Sequence, residues 1–309
     1  MPPGVLVCGN AVMDLLVRPV EAIRWDATIW VEDIERSIGG NGANTAYALA
    51  ALETPVRLLS LVGVDEFGSQ LIEILSRAGV DTTWTARTQS PTGVTVALVR
   101  RDGARAFLHR PGSSAEAFPD PPEFSAEITS GISRFHLANP YALPNMRRHA
   151  AETLRRAREA GLATSLDTGW DAKGQWMEVL APCLPELGVL FVNEEESRML
   201  TGRGAFREAA RDLLRAGVET VVVKLGAEGC AVFTRAGDFR SPALPVPVMD
   251  STGAGDCFAG GFLAALQRGA SLEKAARLAN AAGAASVSAL GSVKGLRNFE
   301  DARRLLASL

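Results

Sequence analysis

With 309 residues, 47% of them hydrophobic, 22% charged and only 6% aromatic, the chain can bury a sizeable core, and its length suits one large α/β domain or two small ones. A net charge of −3 with Lys and Arg scattered leaves no basic face for nucleic acid, and no apolar stretch approaches membrane-spanning length. Four isolated cysteines (Cys8, Cys183, Cys230, Cys257) and three dispersed histidines (His109, His136, His149) lack metal-ligand spacing, so buried reduced thiols in a soluble cytoplasmic protein are the expectation. His136, inside Phe135-His136-Leu137, reads as a core histidine.

Short apolar runs alternate with amphipathic stretches along most of the chain. Strands are predicted at Val5–Cys8, Val56–Val62, Ile132–Leu137, Ala163–Asp167, Val189–Val192 and Thr220–Leu225. Helices are predicted between them at Asn44–Leu52, Phe67–Ala78, Met146–Ala160 and Phe206–Ala216; Gly79, Gly161 and Gly217 stop the last three. Strands without alternation, separated by helices, predict a mainly parallel sheet covered on both faces. Two segments break this rhythm. Val12–Ile38 reads as extended at Met13–Val17 and again at Thr28–Val31, and Val94–Arg101 and Ala104–His109 flank the hairpin signal Asp102-Gly103. Both are assigned to a small projecting β-sheet, a lid, against the plainer reading that they are edge strands of one sheet. Pro119–Pro122 and Ser241–Pro247 read as surface connections, and helices are predicted at Asp256–Gln267, Leu272–Ala289 and Phe299–Leu306.

The segment richest in chemistry is Asp250-Ser251-Thr252-Gly253-Ala254-Gly255-Asp256, which runs straight into an apolar helix faced by Phe258, Phe262, Leu263 and Leu266. Free N–H groups and the dipole at a helix start suit an anion. A carboxylate there would repel a phosphate unless it serves as a base for an attacking hydroxyl. Alone, the loop is equally readable as a strand-to-helix connection. Ile38-Gly39-Gly40-Asn41-Gly42-Ala43-Asn44 opens an Ala-rich helix whose Asn41 and Asn44 share a face and suit neutral hydroxyls, or else cap the helix. Asp14, just past the first strand, is either a polyol acceptor or a surface turn residue. Asn193-Glu194-Glu195-Glu196 follows another strand and offers hard oxygen to Mg²⁺, though acids also complement a helix N-terminus. Lys224-Leu225-Gly226-Ala227-Glu228-Gly229-Cys230 is a nucleotide-side turn or a plain hairpin, and the chain contains no G-x-x-x-x-G-K-[ST].

Together these ordered motifs resemble the ribokinase-like (PfkB) carbohydrate kinase family over nearly the whole chain. The resemblance implies a three-layer α/β sandwich, a single kinase domain over residues 1–309 with a β-lid from about residues 12–38 and 91–111. It also implies transfer of the ATP γ-phosphate to a hydroxymethyl group. By that resemblance Asp256 is the base, Gly253 belongs to the catalytic turn, and the amides of Ala254, Gly255 and Asp256 stabilise the transferring phosphoryl. Asp14, Gly40, Asn41 and Asn44 hold the sugar, Asn193 and Glu196 order Mg²⁺ through water, and Lys224, Gly226 and Asn280 lie near the nucleotide. Asp250 and Thr252, with the backbone near Ser286, Ala289 and Gly291, match a loop that binds a monovalent cation such as K⁺ in some members. Two positions depart from the pattern. Asn41 stands where ribokinases usually carry Lys, which argues against ribose, and Ser113-Ser114 stand where Ala-Asn is frequent.

A sugar kinase is therefore the leading expectation, with sugar and ATP as partners and the open edges of the lid strands as a surface for a homodimer. A nucleoside kinase with stacking from Trp25, Trp30 or Trp84 is the second. A sugar- or nucleotide-binding regulator without catalysis is the reading from another class. A dinucleotide oxidoreductase is disfavoured because Gly9-Asn10-Ala11 lacks G-x-G-x-x-G.

Overall fold

A computed structural model describes residues 2–102 and 104–307. The strands are β1 (Gly4–Cys8), β2 (Val12–Arg18), β3 (Asp33–Gly39), β4 (Val56–Gly63), β5 (Thr85–Thr88), β6 (Gly93–Val99), β7 (Arg105–Arg110), β8 (Ile132–Ala138), β9 (Ala163–Asp167), β10 (Val189–Asn193), β11 (Thr220–Lys224), β12 (Cys230–Thr234) and β13 (Gly237–Ser241). The helices are α1 (Asn41–Ala51), α2 (Glu66–Arg77), the single turn α3 (Ala126–Thr129), α4 (Met146–Glu159), the single turn α5 (Met177–Leu180), α6 (Glu194–Thr201), α7 (Phe206–Arg215), α8 (Ala254–Gln267), α9 (Leu272–Val287) and α10 (Phe299–Ala307).

Among the described residues the main sheet has nine strands in the order β13-β12-β11-β10-β9-β8-β1-β4-β5, parallel except where β12 and β13 turn back. Its central strands are apolar without a break because both faces are covered. Along β1, Val5 and Val7 enter the core beneath α1, α8 and α9, while Leu6 and Cys8 enter the opposite core beneath α4 and α7. Val189 and Phe191 on β10 divide from Leu190 and Val192 in the same way. This two-sided burial is what a continuous Val/Leu run signals in a parallel sheet.

β1 pairs with both β4 and β8, so the chain leaves β1 to one side and later returns on the other. Such a switch in strand order opens a crevice at the carboxyl ends of the strands. Around that crevice stand the ends of β1, β8, β9, β10 and β11 and the start of α8. The separate lid sheet, ordered β3-β2-β6-β7, is built from the segments that broke the alternating rhythm. Its third strand corrects the sequence reading: Thr28–Val31 is irregular, and the extended run is Asp33–Gly39. β6 and β7 form the expected hairpin, closed by the Arg100 N–H donating to the Ala104 carbonyl at 2.9 Å; Gly103 of the turn signal lies outside the described residues. Trp25 and Trp30, both 89% exposed, stand outside the core, and Trp84 packs partly buried against the α4 side.

α8 lies between α1 and α9, and small residues allow the approach. A Cβ on Gly260 would stand 2.8 Å from the Ala48 Cβ of α1, and one on Gly261 would stand 2.9 Å from the Ala279 Cα of α9. His136 is a core residue bonded to Ser165 at 3.0 Å, and burial pushes its pKa down to about 3. Among the described residues no helix is long and apolar enough to cross a membrane.

Gly260→Val should force α1 away from α8. Overpacking costs about 1–3 kcal/mol, against a helix-propensity gain of only a few tenths. Urea denaturation should therefore show a lower midpoint; an unchanged or higher midpoint would contradict the close helix contact.

Candidate active site

A cavity of about 810 Å³ opens at the carboxyl ends of the strands, with Asp256 and Gly255 on one wall and Asp167, Glu196 and Lys224 on another. Its size is that of a site for a small molecule with a nucleotide.

Gly253 begins α8 with φ 72, a left-handed conformation that costs a glycine little, and no side chain caps the helix. The Ala254 N–H donates to the Ser251 carbonyl at 3.3 Å, so the donors that the helix start leaves without an intrahelical acceptor are those of Gly255 and Asp256. This narrows the three amides expected there to two. The Asp256 carboxylate sits above them, 6% exposed. Asn41 Nδ2 donates to its Oδ1 at 2.8 Å and Asn44 Nδ2 to its Oδ2 at 2.9 Å. Burial raises the pKa of Asp256, while the Asn44 and Asn41 amides and the nearby Lys224 charge oppose that rise. The result is a buried, oriented carboxylate more basic than a surface one.

The two asparagines expected on the sugar thus reach the acid instead. Asn44 has both ends of its amide engaged, because its Oδ1 accepts from Ser292 Oγ at 2.9 Å. Asn41 lines the cavity, and its Oδ1 accepts from Asn139 Nδ2 at 2.9 Å. Asn139, in a left-handed conformation at φ 51 just after β8, carries no motif and was not singled out by sequence.

Asp14 projects from β2 of the lid. A Cβ on Gly39 would fall 2.2 Å from its carboxyl carbon, so only glycine leaves room for that carboxylate. Burial pushes the Asp14 pKa up to about 7; the Thr95 hydroxyl opposes this, and the charges of Asp256 and Asp250 add to it. Gly40, at φ 89, caps α1 and directs Asn41 inward.

On the other wall Lys224 Nζ donates to both oxygens of Asp167, each at 2.7 Å. Burial holds Asp167 above the ordinary carboxylate range, Lys224 offsets this, and Glu196 adds to it. Burial works to lower Lys224, but Asp167 and Glu196 prevail and keep it raised. The Lys224 amine lies 3.2 Å from where a Gly255 Cβ would stand, so an ammonium and a helix start face the same space. Glu196 Oε2 accepts the Asn193 N–H at 2.7 Å and the Thr168 hydroxyl at 2.9 Å, while Asn193 Oδ1 accepts the Glu196 N–H at 2.7 Å. Asn193 is therefore spent chiefly as a helix cap, and Glu196 is the anionic donor of that motif on the cavity wall. Gly226 also lines the cavity. Asn280 does too, with its amide donating at 3.0 Å to the carbonyls of Ser241 and Pro242.

Ser241–Pro247 is not a mere surface connection: Ala243, Leu244, Pro245 and Val246 form an apolar cavity wall. Trp170 is the tryptophan on the cavity wall, half-exposed and packed edge-on against Trp176 at 5.0 Å. Neither feature has a local signature in sequence; both depend on where β9 and β13 end. In the expected cation loop, Asp250 and Thr252 accept hydrogen bonds from the Arg105 guanidinium of β7, Asp250 Oδ2 accepts the Gly291 N–H at 2.9 Å, and the Ser286 hydroxyl donates to the Gly283 carbonyl at 2.8 Å. Ala289 lies on the turn that leads to Gly291. Ser113 donates to the Leu61 carbonyl at 2.9 Å, so that departure from the pattern serves the junction of lid and sheet.

A doubly covered parallel sheet, a β-lid and a buried carboxylate at a helix start, taken with the relatives below, define a phosphotransferase acting on a carbohydrate alcohol. The chain belongs to the pfkB family carbohydrate kinases, whose description matches residues 3–298. It is 31% identical over 239 residues to aminoimidazole riboside kinase of Salmonella typhimurium, covering 74% of each chain. It is 27% identical over 242 residues to probable fructokinase-5 of Arabidopsis thaliana, covering 75% of this chain and 74% of that one. Its fold superposes on Arabidopsis thaliana ribokinase complexed with ribose and ATP with a TM-score of 0.85 at 26% identity, over 99% of both chains.

Asp14 accepts hydroxyl hydrogens on both oxygens, and most strongly, only when ionised, so a ligand that donates to it should bind better as pH rises. With its pKa near 7, the acceptor's KM should fall between about pH 6 and 8. Asp14→Asn should flatten that dependence; a wild-type KM that is constant or rises across this range counts against Asp14 as an acceptor.

Proposed function

We propose that the chain transfers the γ-phosphoryl group of ATP to a hydroxymethyl group of a small carbohydrate, with Asp256 as general base. One observation carries this reading: a buried carboxylate, oriented by two amides, shares a cavity wall with two free helix-start N–H groups and faces an ammonium. A binding protein gains nothing from a carboxylate next to a phosphate site, whereas a kinase needs both.

In the reaction the substrate hydroxyl gives its proton to Asp256 as its oxygen bonds to the γ-phosphorus. The bond from that phosphorus to the bridging oxygen breaks, and ADP leaves with the electron pair. Asn41 and Asn44 keep the carboxylate aimed at the hydroxyl. The Gly255 and Asp256 N–H groups and Lys224 face the charge that spreads over the transferring oxygens. Asp14, with Gly40 beside it, holds the sugar from the lid side, and the Gly226 turn and the Ala243–Val246 wall take the nucleotide. Glu196, with Asn193 capping its helix, would hold Mg²⁺ through water; when bound, the ion offsets phosphate charge. The fit rests on a buried carboxylate that lines the cavity and keeps Oε1 beyond the two hydrogen bonds that Oε2 accepts from Asn193 and Thr168.

The whole chain acts as one domain whose lid excludes water. On one side of the lid sheet the exposed Ile34 and Leu108 offer an apolar face for a homodimer. Four buried free cysteines fit a reducing cytoplasmic compartment. A nucleoside acceptor is the second reading, supported by the 31% identity to aminoimidazole riboside kinase. ADP release measured with fructose, ribose, adenosine and ketodeoxy-acids separates the two.

Asp256→Asn should lower kcat by about 10²–10⁴-fold, the usual worth of a general base, while sugar affinity changes little. Turnover close to wild type would remove Asp256 from the proton transfer. Leu108→Glu should convert a dimer to a monomer in sedimentation, and a dimer that survives it does not use that face.

A further inference from the structure

The loop that precedes the helix start contains two of the residues expected at a monovalent-cation site, Asp250 and Thr252, yet a side chain already occupies their side-chain oxygens. Arg105 of β7 reaches across from the lid. Its Nη1 donates to Asp250 Oδ1 and Thr252 Oγ1, and its Nη2 donates to Ser251 Oγ at 2.8 Å. The remaining acceptor capacity of Asp250 is taken from the backbone, by Thr252 N–H on Oδ1 at 2.8 Å and by Gly291 N–H on Oδ2 at 2.9 Å. The carboxylate is 3% exposed and the arginine 17%, so this is a largely desolvated pair. A K⁺ ion needs several free oxygens around it, and here one oxygen each of Asp250, Ser251 and Thr252 accepts from the guanidinium while the other Asp250 oxygen accepts from Gly291. The residues do not fit the ion.

We infer that Arg105 is a positioning residue that supplies the fixed positive charge of this loop, and that the protein works without a monovalent cation. The physical need is plain. Asp250 stands a few residues before the Gly255 and Asp256 N–H groups that receive the phosphoryl charge. An uncompensated buried carboxylate there would oppose an incoming phosphate and leave the loop without its second anchor. Arg105 neutralises it and ties Ser251 and Thr252 in place, which sets the Gly253 turn. Unlike a free ion, this charge is borne by the same sheet as Asp14, so it is in place only when the lid lies over the site.

The inference rests on the kinase reading for its effect on rate but not for its effect on ion occupancy. The test compares wild type, Arg105→Ala and Arg105→Lys in KCl and in tetramethylammonium chloride at equal ionic strength, by turnover and by thermal unfolding without substrate. Wild type should turn over equally in both salts, within about twofold, and its Tm should not depend on K⁺. Arg105→Ala should lose about 10–100-fold in kcat with a smaller change in the KM for sugar. K⁺ or added guanidinium, but not tetramethylammonium, should restore part of that loss, and K⁺ alone of the two salts should raise the variant's Tm. Arg105→Lys should retain most of the rate. A wild type activated about tenfold by K⁺ or stabilised specifically by it overturns the inference. So does an Arg105→Ala variant that keeps its kcat, or one whose loss neither cation repairs. Should no acceptor on the panel be phosphorylated, the kinase reading fails, while the K⁺ dependence of Tm in wild type and Arg105→Ala still decides the ion's place.

Discussion

Much of the molecule is organised around a pair of hydrogen bonds from α1 to α8, Asn41 and Asn44 to the Asp256 carboxylate. A buried carboxylate is costly unless its oxygens are satisfied. Amides are neutral donors: they fix its direction without the strong pKa depression that an arginine partner would impose. Burial raises the acid and the amides bring it only part of the way back, so it stays more basic than a surface carboxylate. The helices must approach closely for those bonds to form, and the Gly260 contact with Ala48 permits it. Packing deep between α1 and α8 thus sets the reach of a side chain at the mouth of the cavity.

The charges about the cavity are arranged by the same logic. Asp256, Asp167, Glu196, Asp250 and Asp14 outnumber Lys224 and Arg105, a surplus unsuited to a phosphate unless each acid is individually held. Asp167 is covered by Lys224, Asp250 by Arg105, and Glu196 is half spent on a helix cap. What faces the space beside Gly255 is then an ammonium and two N–H groups. Local pairing makes an anion site in a chain that is negative overall.

Contiguity decided what could be read in advance. The Gly39–Asn44, Asn193–Glu196, Lys224–Gly226 and Asp250–Asp256 runs place several functional groups within one turn of backbone, so local chemistry betrays them. Strands with both faces buried were equally legible, since Val5–Cys8 and Val189–Val192 have no polar alternation to mislead. Asp167, Asn139 and Trp170 stand singly at strand ends and acquire meaning only through the order β8-β9-β10 in the sheet. Thr28–Val31 carries β-branched and aromatic residues, yet the lid pairing goes to Asp33–Gly39, whose register sets Asp14 opposite Ser37. Ser241–Pro247 looked like a surface connection because of its prolines. They fit because a cavity wall asks for apolar surface and no ladder hydrogen bonds.

Arg105 shows where such reading ends, because an arginine on an exposed hairpin is ordinarily a solvated charge. Its partner is 145 positions away, and only the folded lid brings the two together. That placement joins two tasks that the chain keeps far apart in sequence. Asp14, the proposed contact of the acceptor, lies on the lid, and Arg105, two strands away, anchors the loop before α8. On that proposal a displacement of the lid would weaken both at once: the acceptor would lose a carboxylate, and the loop before the helix start would acquire an unpaired one. An enzyme built on that proposal would have its phosphoryl site properly charged only while the lid is over the alcohol, so water entering an open cavity would meet a site that opposes the nucleotide's terminal phosphate.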